Sequence, residues 1–103
     1  LPDGNYTLAG LPVVVADCTA RLTSSGAIAG SVAHVADCLR WAVQTAGIDL
    51  ADAVLAATGT PAKAFGLDVG HLVTGGVADV LVLDADLRPA FVVAGGQASP
   101  ARR

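Results

Sequence analysis

The sequence predicts a mixed α/β segment in which strands come first, helices follow and strands return. Three observations predict this order: Val-, Thr- and Leu-rich runs broken by turn residues before residue 26, apolar residues at helical spacing between residues 32 and 65, and two β-rich runs after residue 70. With 103 residues the chain can form at most one ordinary domain. The order is not that of a complete βαβ domain, so the two β-rich ends either pair with each other or belong to sheets completed elsewhere.

Composition excludes several classes of partner. The chain has nine Asp, no Glu and six Lys plus Arg, which gives a formal net charge of −3. This mild negative charge argues against nucleic acid or an anionic membrane surface as a partner. No charged leader precedes an apolar run, and no apolar run reaches the roughly 20 residues that span a bilayer. We therefore expect a soluble, cytoplasmic chain.

The N-terminal region, residues 5–23, is typical of short strands joined by turns. It reads "NYTLAGLPVVVADCTARLT", with a glycine and a proline interrupting the β-rich runs. Near its end Leu22 alternates with Arg21 and Thr23, which predicts an inward leucine and outward polar neighbours. Residues 24–26 (Ser-Ser-Gly) then close this strand as a loop.

A helix is predicted next. Between Val32 and Ala46 apolar residues recur at steps of three and four, which is helix spacing. Ser31 is the expected N-cap because its hydroxyl can accept an N–H of the first turn, and Gly47 is the expected stop. We expect Trp41 to serve as a packing group on this helix.

Two shorter helical pieces follow with tight connections. Asp49 is expected to cap a helix that runs to about residue 57. Pro61 is expected at the first position of a third helix, because a proline there loses no intrahelical hydrogen bond, and Gly66 is the expected stop. Phe65 is expected to pack against apolar neighbours.

The C-terminal third has a β-rich character. "DVLVLD", residues 79–84, and "AFVVAGG", residues 90–96, predict a strand pair joined by the turn-like residues 85–89. The last residues, "ASPARR" (98–103), are expected to form a frayed tail.

One stretch could contact a ligand. Residues 26–31, "GAIAGS", place small side chains directly before the first predicted helix, where uncovered N–H groups and the positive end of the helix dipole could receive a phosphate or a sugar edge. The stretch lacks the Lys of a G-x-x-x-x-G-K-[ST] loop, and it also lacks G-x-G-x-x-G. From the residues alone, helix capping with tight packing and ligand contact both remain open.

The other chemically active side chains predict no catalytic site. Cys18 and Cys38 have no metal-binding spacing and are expected to be reduced and buried, with a disulfide as the alternative. His34 and His71 lack a motif such as H-E-x-x-H, so we expect surface histidines rather than metal ligands.

Four phrases carry a family resemblance. In order, "LPDGNYTLAG", "GAIAGS" with its amphipathic helix, "GIDLADAVLAATGTPAKAFGL" and "GGVADVLVLDADLRPAFVVAGG" resemble the C-terminal part of the N-acetylglucosamine-6-phosphate deacetylases, which belong to the amidohydrolase superfamily. The likeness runs from Leu1 to about Gly96. The chain departs from the usual pattern at Cys18, where the family has glycine, and at Gly76, where it has lysine. These departures would also suit a superfamily member with another substrate.

The resemblance implies a fold. It implies an α/β protein with a TIM-type (β/α)8 barrel and a small β-sandwich built from both chain termini. Residues 1–67 would be the end of the barrel domain, a β-hairpin followed by the final helices, and residues 68–103 would be the C-terminal sandwich strands and tail. This assignment explains why strands, helices and strands follow one another without completing a domain.

The resemblance also implies an activity. Such enzymes hydrolyse N-acetylglucosamine 6-phosphate to glucosamine 6-phosphate and acetate, using a divalent metal (zinc or iron) and an aspartate at the end of the last barrel strand. The metal ligands and this aspartate have no counterpart here. We therefore expect a chain that begins just after the catalytic aspartate, has no catalytic or metal-binding residue and is inactive alone.

The resemblance assigns substrate contacts to the small-residue stretch. Ile28, Ala29, Gly30 and Ser31 match family residues that contact the sugar phosphate, whereas Gly4 and Tyr6 match scaffold positions. The implied partners are an amino-sugar phosphate, the remainder of the barrel and further copies of the enzyme in a homo-oligomer, without nucleic acid or membrane. The alternatives are a stand-alone anion-binding or interaction module, or part of another amidohydrolase. A piece of a barrel should also expose apolar surface and self-associate.

Overall fold

The structure is a computed structural model that describes residues 1–100. These residues belong to two compact units, Leu1–His34 and the chain from Val35 onward. Each unit contains its own antiparallel sheet, and the second also contains three helices. The predicted order of strands, helices and strands is therefore confirmed, and the two β-rich ends do not pair with each other. The domain boundary at residue 67 concerns a larger protein and stays a prediction.

The first unit is a four-stranded meander in the order β1-β2-β3-β4. The strands are β1 (Gly4–Leu8), β2 (Leu11–Ala16), β3 (Thr19–Leu22) and β4 (Ile28–Ser31). Two-residue turns join the first three strands, and each turn residue has the positive φ of a type I′ turn: Ala9, Gly10, Asp17 and Cys18. The predicted loop at residues 24–26 is confirmed between β3 and β4.

The core of this sheet lies on one face. Val13 and Val15 are two residues apart on β2, so both side chains point to the same side. They pair with Leu22 and Ala20 of β3, and Val15 is only 1% exposed. Leu22 is half-buried and Arg21 is exposed, which confirms the predicted alternation.

Tyr6 fixes the start of the first sheet. Its hydroxyl donates a hydrogen bond to the Pro2 carbonyl at 2.9 Å. Its ring lies over Gly4, where a Cβ atom would come within 3.5 Å of the ring carbon Cε2. Both residues are therefore structural in this unit, as their scaffold assignment implies.

The helices of the second unit are α1 (Val35–Gln44), α2 (Leu50–Ala57) and α3 (Gly59–Ala64). The Asp49 cap is confirmed, because its carboxylate accepts the Ala51 N–H at 2.8 Å. Pro61 is the third residue of α3 rather than the first, so it still lies within the first turn, where its missing N–H costs little. None of the helices in residues 1–100 has the length and apolarity needed to cross a membrane.

The second sheet has the order β5-β6-β7. It consists of β5 (Val80–Leu83), β6 (Pro89–Ala94) and β7 (Gln97–Pro100), and the predicted β5–β6 pair is confirmed. The prediction of a frayed tail is wrong for residues 98–100, because Gly95 and Gly96 both adopt positive φ and turn the chain back along β6. The rest of that tail, residues 101–103, lies outside the described residues.

Burial is sparse in both units. Within residues 1–100 the buried apolar side chains are all small: Val13, Val15, Ala20, Ala53 and Ala62. Large apolar side chains remain exposed, which confirms the expected exposure of apolar surface. Trp41 is 61% and Phe65 79% exposed, so neither is a buried packing group within this chain. Self-association through this surface stays a prediction.

Candidate functional site

The candidate substrate-binding residues lie on a strand, not at a helix end. Ile28, Ala29, Gly30 and Ser31 form β4, the edge strand beside β3, and α1 begins only at Val35. The predicted N-cap role of Ser31 is therefore wrong. Its hydroxyl instead accepts the Ala33 N–H at 3.1 Å, a local turn contact. Hydrogen bonds to β3 use backbone groups that the predicted helix end would have left free for a ligand.

The register of β4 is irregular at its centre. Ile28 pairs with Arg21, and Gly30 pairs with Ala20, so Ala29 has no partner residue on β3. This is a β-bulge, which disrupts the ladder locally and re-aims the bulged strand. Such bulges occur often beside ligand sites. The candidate residues thus combine an edge position with an interrupted ladder.

Gly30 is not required by the fold. Its φ is not among the positive values of the chain. A Cβ atom there would meet Leu8 Cδ2 at 3.7 Å, which is ordinary van der Waals contact. Gly26, by contrast, has φ +70° at the turn into β4 and is needed for conformational reasons. The absence of a side chain at residue 30 therefore has no explanation in the packing of this unit.

The positively charged side chain of Arg21 lies beside this strand, and no sequence pattern assigned it to the site. Arg21 lies opposite Ile28, and its guanidinium Nη1 donates to the Gly26 carbonyl at 2.9 Å. Its side chain is exposed, as the predicted alternation required. The sequence identified Arg21 only as an outward residue, because a contact to the following loop leaves no periodic signal.

The described residues do not form a metal site. His71 Nδ1 lies 3.1 Å from the Val69 carbonyl oxygen, and its Nε2 lies 3.5 Å from Asp68 Oδ1. The exposed His34 belongs to a different unit from this pair. Among residues 1–100, three or more His, Cys or Asp side chains nowhere converge to hold a metal ion. The donor set here does not fit the divalent metal that the family resemblance implies.

The two cysteines are free, which fits the expected reduced state, but the prediction that they are buried is wrong. Both Cys18 and Cys38 are exposed. Cys18 occupies the β2–β3 turn at φ +58°, outside the paired strands that form the core of the sheet. Cys38 lies on the exposed side of α1. Within residues 1–100, neither thiol belongs to a cluster of three or more His, Cys or Asp side chains.

Sequence comparison relates the chain to amidohydrolases. The model of the amidohydrolase family matches residues 15–102. The N-acetylgalactosamine-6-phosphate deacetylase of Escherichia coli O157:H7 is 38% identical over 89 residues, covering 84% of this chain and 23% of the relative. The N-acetylglucosamine-6-phosphate deacetylase of Bos taurus is 35% identical over 89 residues, covering 84% and 22%. The chain spans between 22% and 53% of the length of the curated relatives it matches.

Solved structures agree with the sequence comparison. A mutant N-acetyl-D-glucosamine-6-phosphate deacetylase from Mycobacterium smegmatis, in complex with N-acetyl-D-glucosamine-6-phosphate, superimposes with a TM-score of 0.82 at 35% identity, over 95% of this chain and 27% of that one. The N-acetylglucosamine-6-phosphate deacetylase from Thermotoga maritima gives a TM-score of 0.80 at 28% identity, over 95% and 27%. Because the family match covers most of the chain, this protein belongs to the amidohydrolase family.

Proposed function

We propose that this chain is a segment of a deacetylase that hydrolyses N-acetylglucosamine 6-phosphate to glucosamine 6-phosphate and acetate. In that enzyme it supplies a substrate-binding strand and not the catalytic centre. The observation that carries the proposal is the similarity to the M. smegmatis deacetylase that binds this sugar phosphate, which extends over 95% of the chain at 35% identity.

The proposal places the chain within a larger fold. Residues 1–67 would complete a (β/α)8 barrel, and the sheet β5-β6-β7 would form part of a β-sandwich. Two observations support this placement. The chain covers only about a quarter of its structural relatives, and its large apolar side chains lack a core of their own. Further protein would cover those side chains.

The site of contact would be β4. Its edge position leaves one row of backbone groups without a partner strand, and the bulge at Ala29 interrupts the other row. Gly30 keeps the backbone uncovered although the fold could hold a methyl group there. Backbone N–H groups presented in this way can donate to the oxygen atoms of a phosphate or sugar. We therefore assign substrate contact to Ile28, Ala29, Gly30 and Ser31.

Amidohydrolase chemistry generally depends on a metal ion, and residues 1–100 contain no cluster of side chains that would hold one. The chain contains no Glu, and its two histidines do not converge with other ligands in the described residues. In the proposed enzyme the ligands and the residue that moves the proton come from other parts of the polypeptide. The residues described above bind and orient the substrate.

A second substrate is supported by a specific observation. The E. coli relative that is 38% identical is named for N-acetylgalactosamine 6-phosphate. The two sugars differ only in the configuration at C4. The second candidate function is therefore deacetylation of the galactose epimer by the same arrangement.

The test uses the complete polypeptide that contains this segment. Acetate release is measured with N-acetylglucosamine 6-phosphate and with its galactose epimer, and the larger kcat/KM identifies the substrate. Failure to release acetate from either sugar would refute the proposal. The 103-residue chain alone, assayed with added zinc, is expected to release none. If that chain instead bound inorganic phosphate tightly, the alternative of a stand-alone anion-binding module would be favoured.

A glycine variant tests the contact strand. Gly30→Ala is expected to raise KM for the sugar phosphate, because a methyl group would stand beside the backbone that the ligand approaches, while the melting temperature stays within a few degrees. Gly47→Ala is the matched control: it introduces alanine at φ +71° after α1 and should cost about 1–2 kcal/mol of stability without changing KM. An unchanged KM in Gly30→Ala would remove β4 from the site.

A further inference from the structure

We propose that Arg21 is a positioning residue for the substrate strand. Its guanidinium holds the β3–β4 loop closed and thereby fixes the bulged strand β4 in the geometry that receives the sugar phosphate. This inference rests on the function proposed above, and it concerns a residue that does not itself touch the substrate.

The first step is the contact itself. Arg21 Nη1 donates to the Gly26 carbonyl at 2.9 Å, across five residues of chain. Gly26 has φ +70° and is the point at which the loop turns toward β4. A hydrogen bond from a charged donor to this carbonyl restrains the turn at its most flexible residue.

The second step is the position of Arg21 relative to the bulge. Its backbone pairs with Ile28, and the register shifts between Ala20 and Arg21. The same residue therefore restrains β4 through the backbone ladder at Ile28 and restrains the loop before it through its side chain at Gly26. A short strand that contains glycine and is largely exposed has a weakly specified register, so a second attachment selects one arrangement.

The third step is the rest of the loop. The Leu22 N–H donates to the Ala27 carbonyl at 2.8 Å, and the Gly26 N–H donates to the Leu22 carbonyl at 2.8 Å. These backbone bonds define a closed turn, and they do not depend on which side chains the loop carries. The Arg21 side chain adds a restraint at Gly26, two residues before the strand, so its loss should loosen β4 more than it weakens the unit.

The experiment compares three variants of the complete polypeptide. Arg21→Gln is expected to raise KM for the preferred sugar phosphate about three- to tenfold, the range of one lost hydrogen bond, with kcat within about twofold. Arg21→Lys should recover part of the loss, because a single ammonium donor can still reach the Gly26 carbonyl. Arg40→Gln is the matched control, since Arg40 carries the same charge but pairs with Asp37 on α1 at 3.0 Å.

Amide hydrogen exchange gives the second readout. In Arg21→Gln the amides of residues 26–31 should exchange faster without a change in melting temperature. A raised KM with unchanged exchange would overturn the inference, because it would indicate direct contact of Arg21 with the phosphate. Unchanged KM and exchange in an active enzyme would overturn it and leave the proposed function standing. Absence of deacetylation in the unsubstituted enzyme would instead overturn the proposed function, and this result precedes any variant.

Discussion

Replacing Gly70 by alanine is expected to destabilise the second unit by about 2–5 kcal/mol. Gly70 has φ +79°, a conformation that costs an L-residue about 1–2 kcal/mol. An added Cβ would also lie 2.8 Å from the Thr58 carbonyl oxygen and 3.2 Å from Ala62 Cβ. Because the nearest atom belongs to the backbone between α2 and α3, relief requires a backbone shift, which costs about a further 1–3 kcal/mol.

Gly66→Ala separates the two contributions. Gly66 has φ +66°, but a Cβ there would meet no atom within 4 Å, so it incurs only the conformational cost. Urea denaturation of the chain, monitored by the far-ultraviolet circular dichroism of the helices, measures the stability of both variants. Gly70→Ala should unfold at a lower urea concentration, with a free energy of unfolding about 1–3 kcal/mol below that of Gly66→Ala. Equal midpoints would show that the α2–α3 junction moves freely and would refute the reasoning.

Three further substitutions, two of them with a matched control, test local features by urea denaturation of the chain. Cys18→Gly should stabilise the chain by about 0.5–1 kcal/mol, because glycine tolerates φ +58°, whereas Cys38→Gly within α1 should cost about 1 kcal/mol. A loss of stability in Cys18→Gly would contradict the turn assignment. Asp49→Ala should cost about 1 kcal/mol through loss of the cap, and Asp52→Ala only a few tenths, so equal effects would argue against the cap. Val15→Ala should cost about 1–3 kcal/mol, because this side chain is 1% exposed, and a change below 0.5 kcal/mol would show that the sheet core is not formed.

Where local chemistry decides the structure, the sequence was sufficient. Asp49 caps α2 because a carboxylate before an apolar run satisfies free N–H groups without help from distant residues. The β5–β6 hairpin follows from its Val- and Leu-rich runs and from the intervening turn. The order of elements could therefore be predicted from periodicity and turn residues alone.

Where pairing between separate segments of the chain decides the structure, the sequence was insufficient. Ala29, Gly30 and Ser31 have little intrinsic strand preference, and only the ladder with β3 makes them a strand. β7 depends in the same way on pairing with β6, although the Gly95-Gly96 turn was a signal that the prediction did not use. The exposure of Trp41 and Phe65 could not be predicted from residue type. The tendency of aromatic side chains to be buried assumes that the surface that covers them lies in the same chain.

The local structure of the candidate site differs from the prediction. The family resemblance assigns substrate contact to Ile28, Ala29, Gly30 and Ser31, and the structure places these residues on an edge strand rather than at a helix end. Their contact with a sugar phosphate stays a prediction. The bond from Arg21 to Gly26 depends on the path of the loop, so neither spacing nor composition could have revealed it.

The bulged edge strand also constrains how this region can evolve. Side chains alternate between the two faces of a strand, so one residue gained or lost in β4 outside the bulge at Ala29 would reverse the orientation of every residue that follows in the strand. The preceding loop, residues 23–27, can change in length at a cost that grows only slowly with the number of residues. Insertions and deletions across related genes should therefore accumulate in the loop, while the number of residues in the strand stays constant.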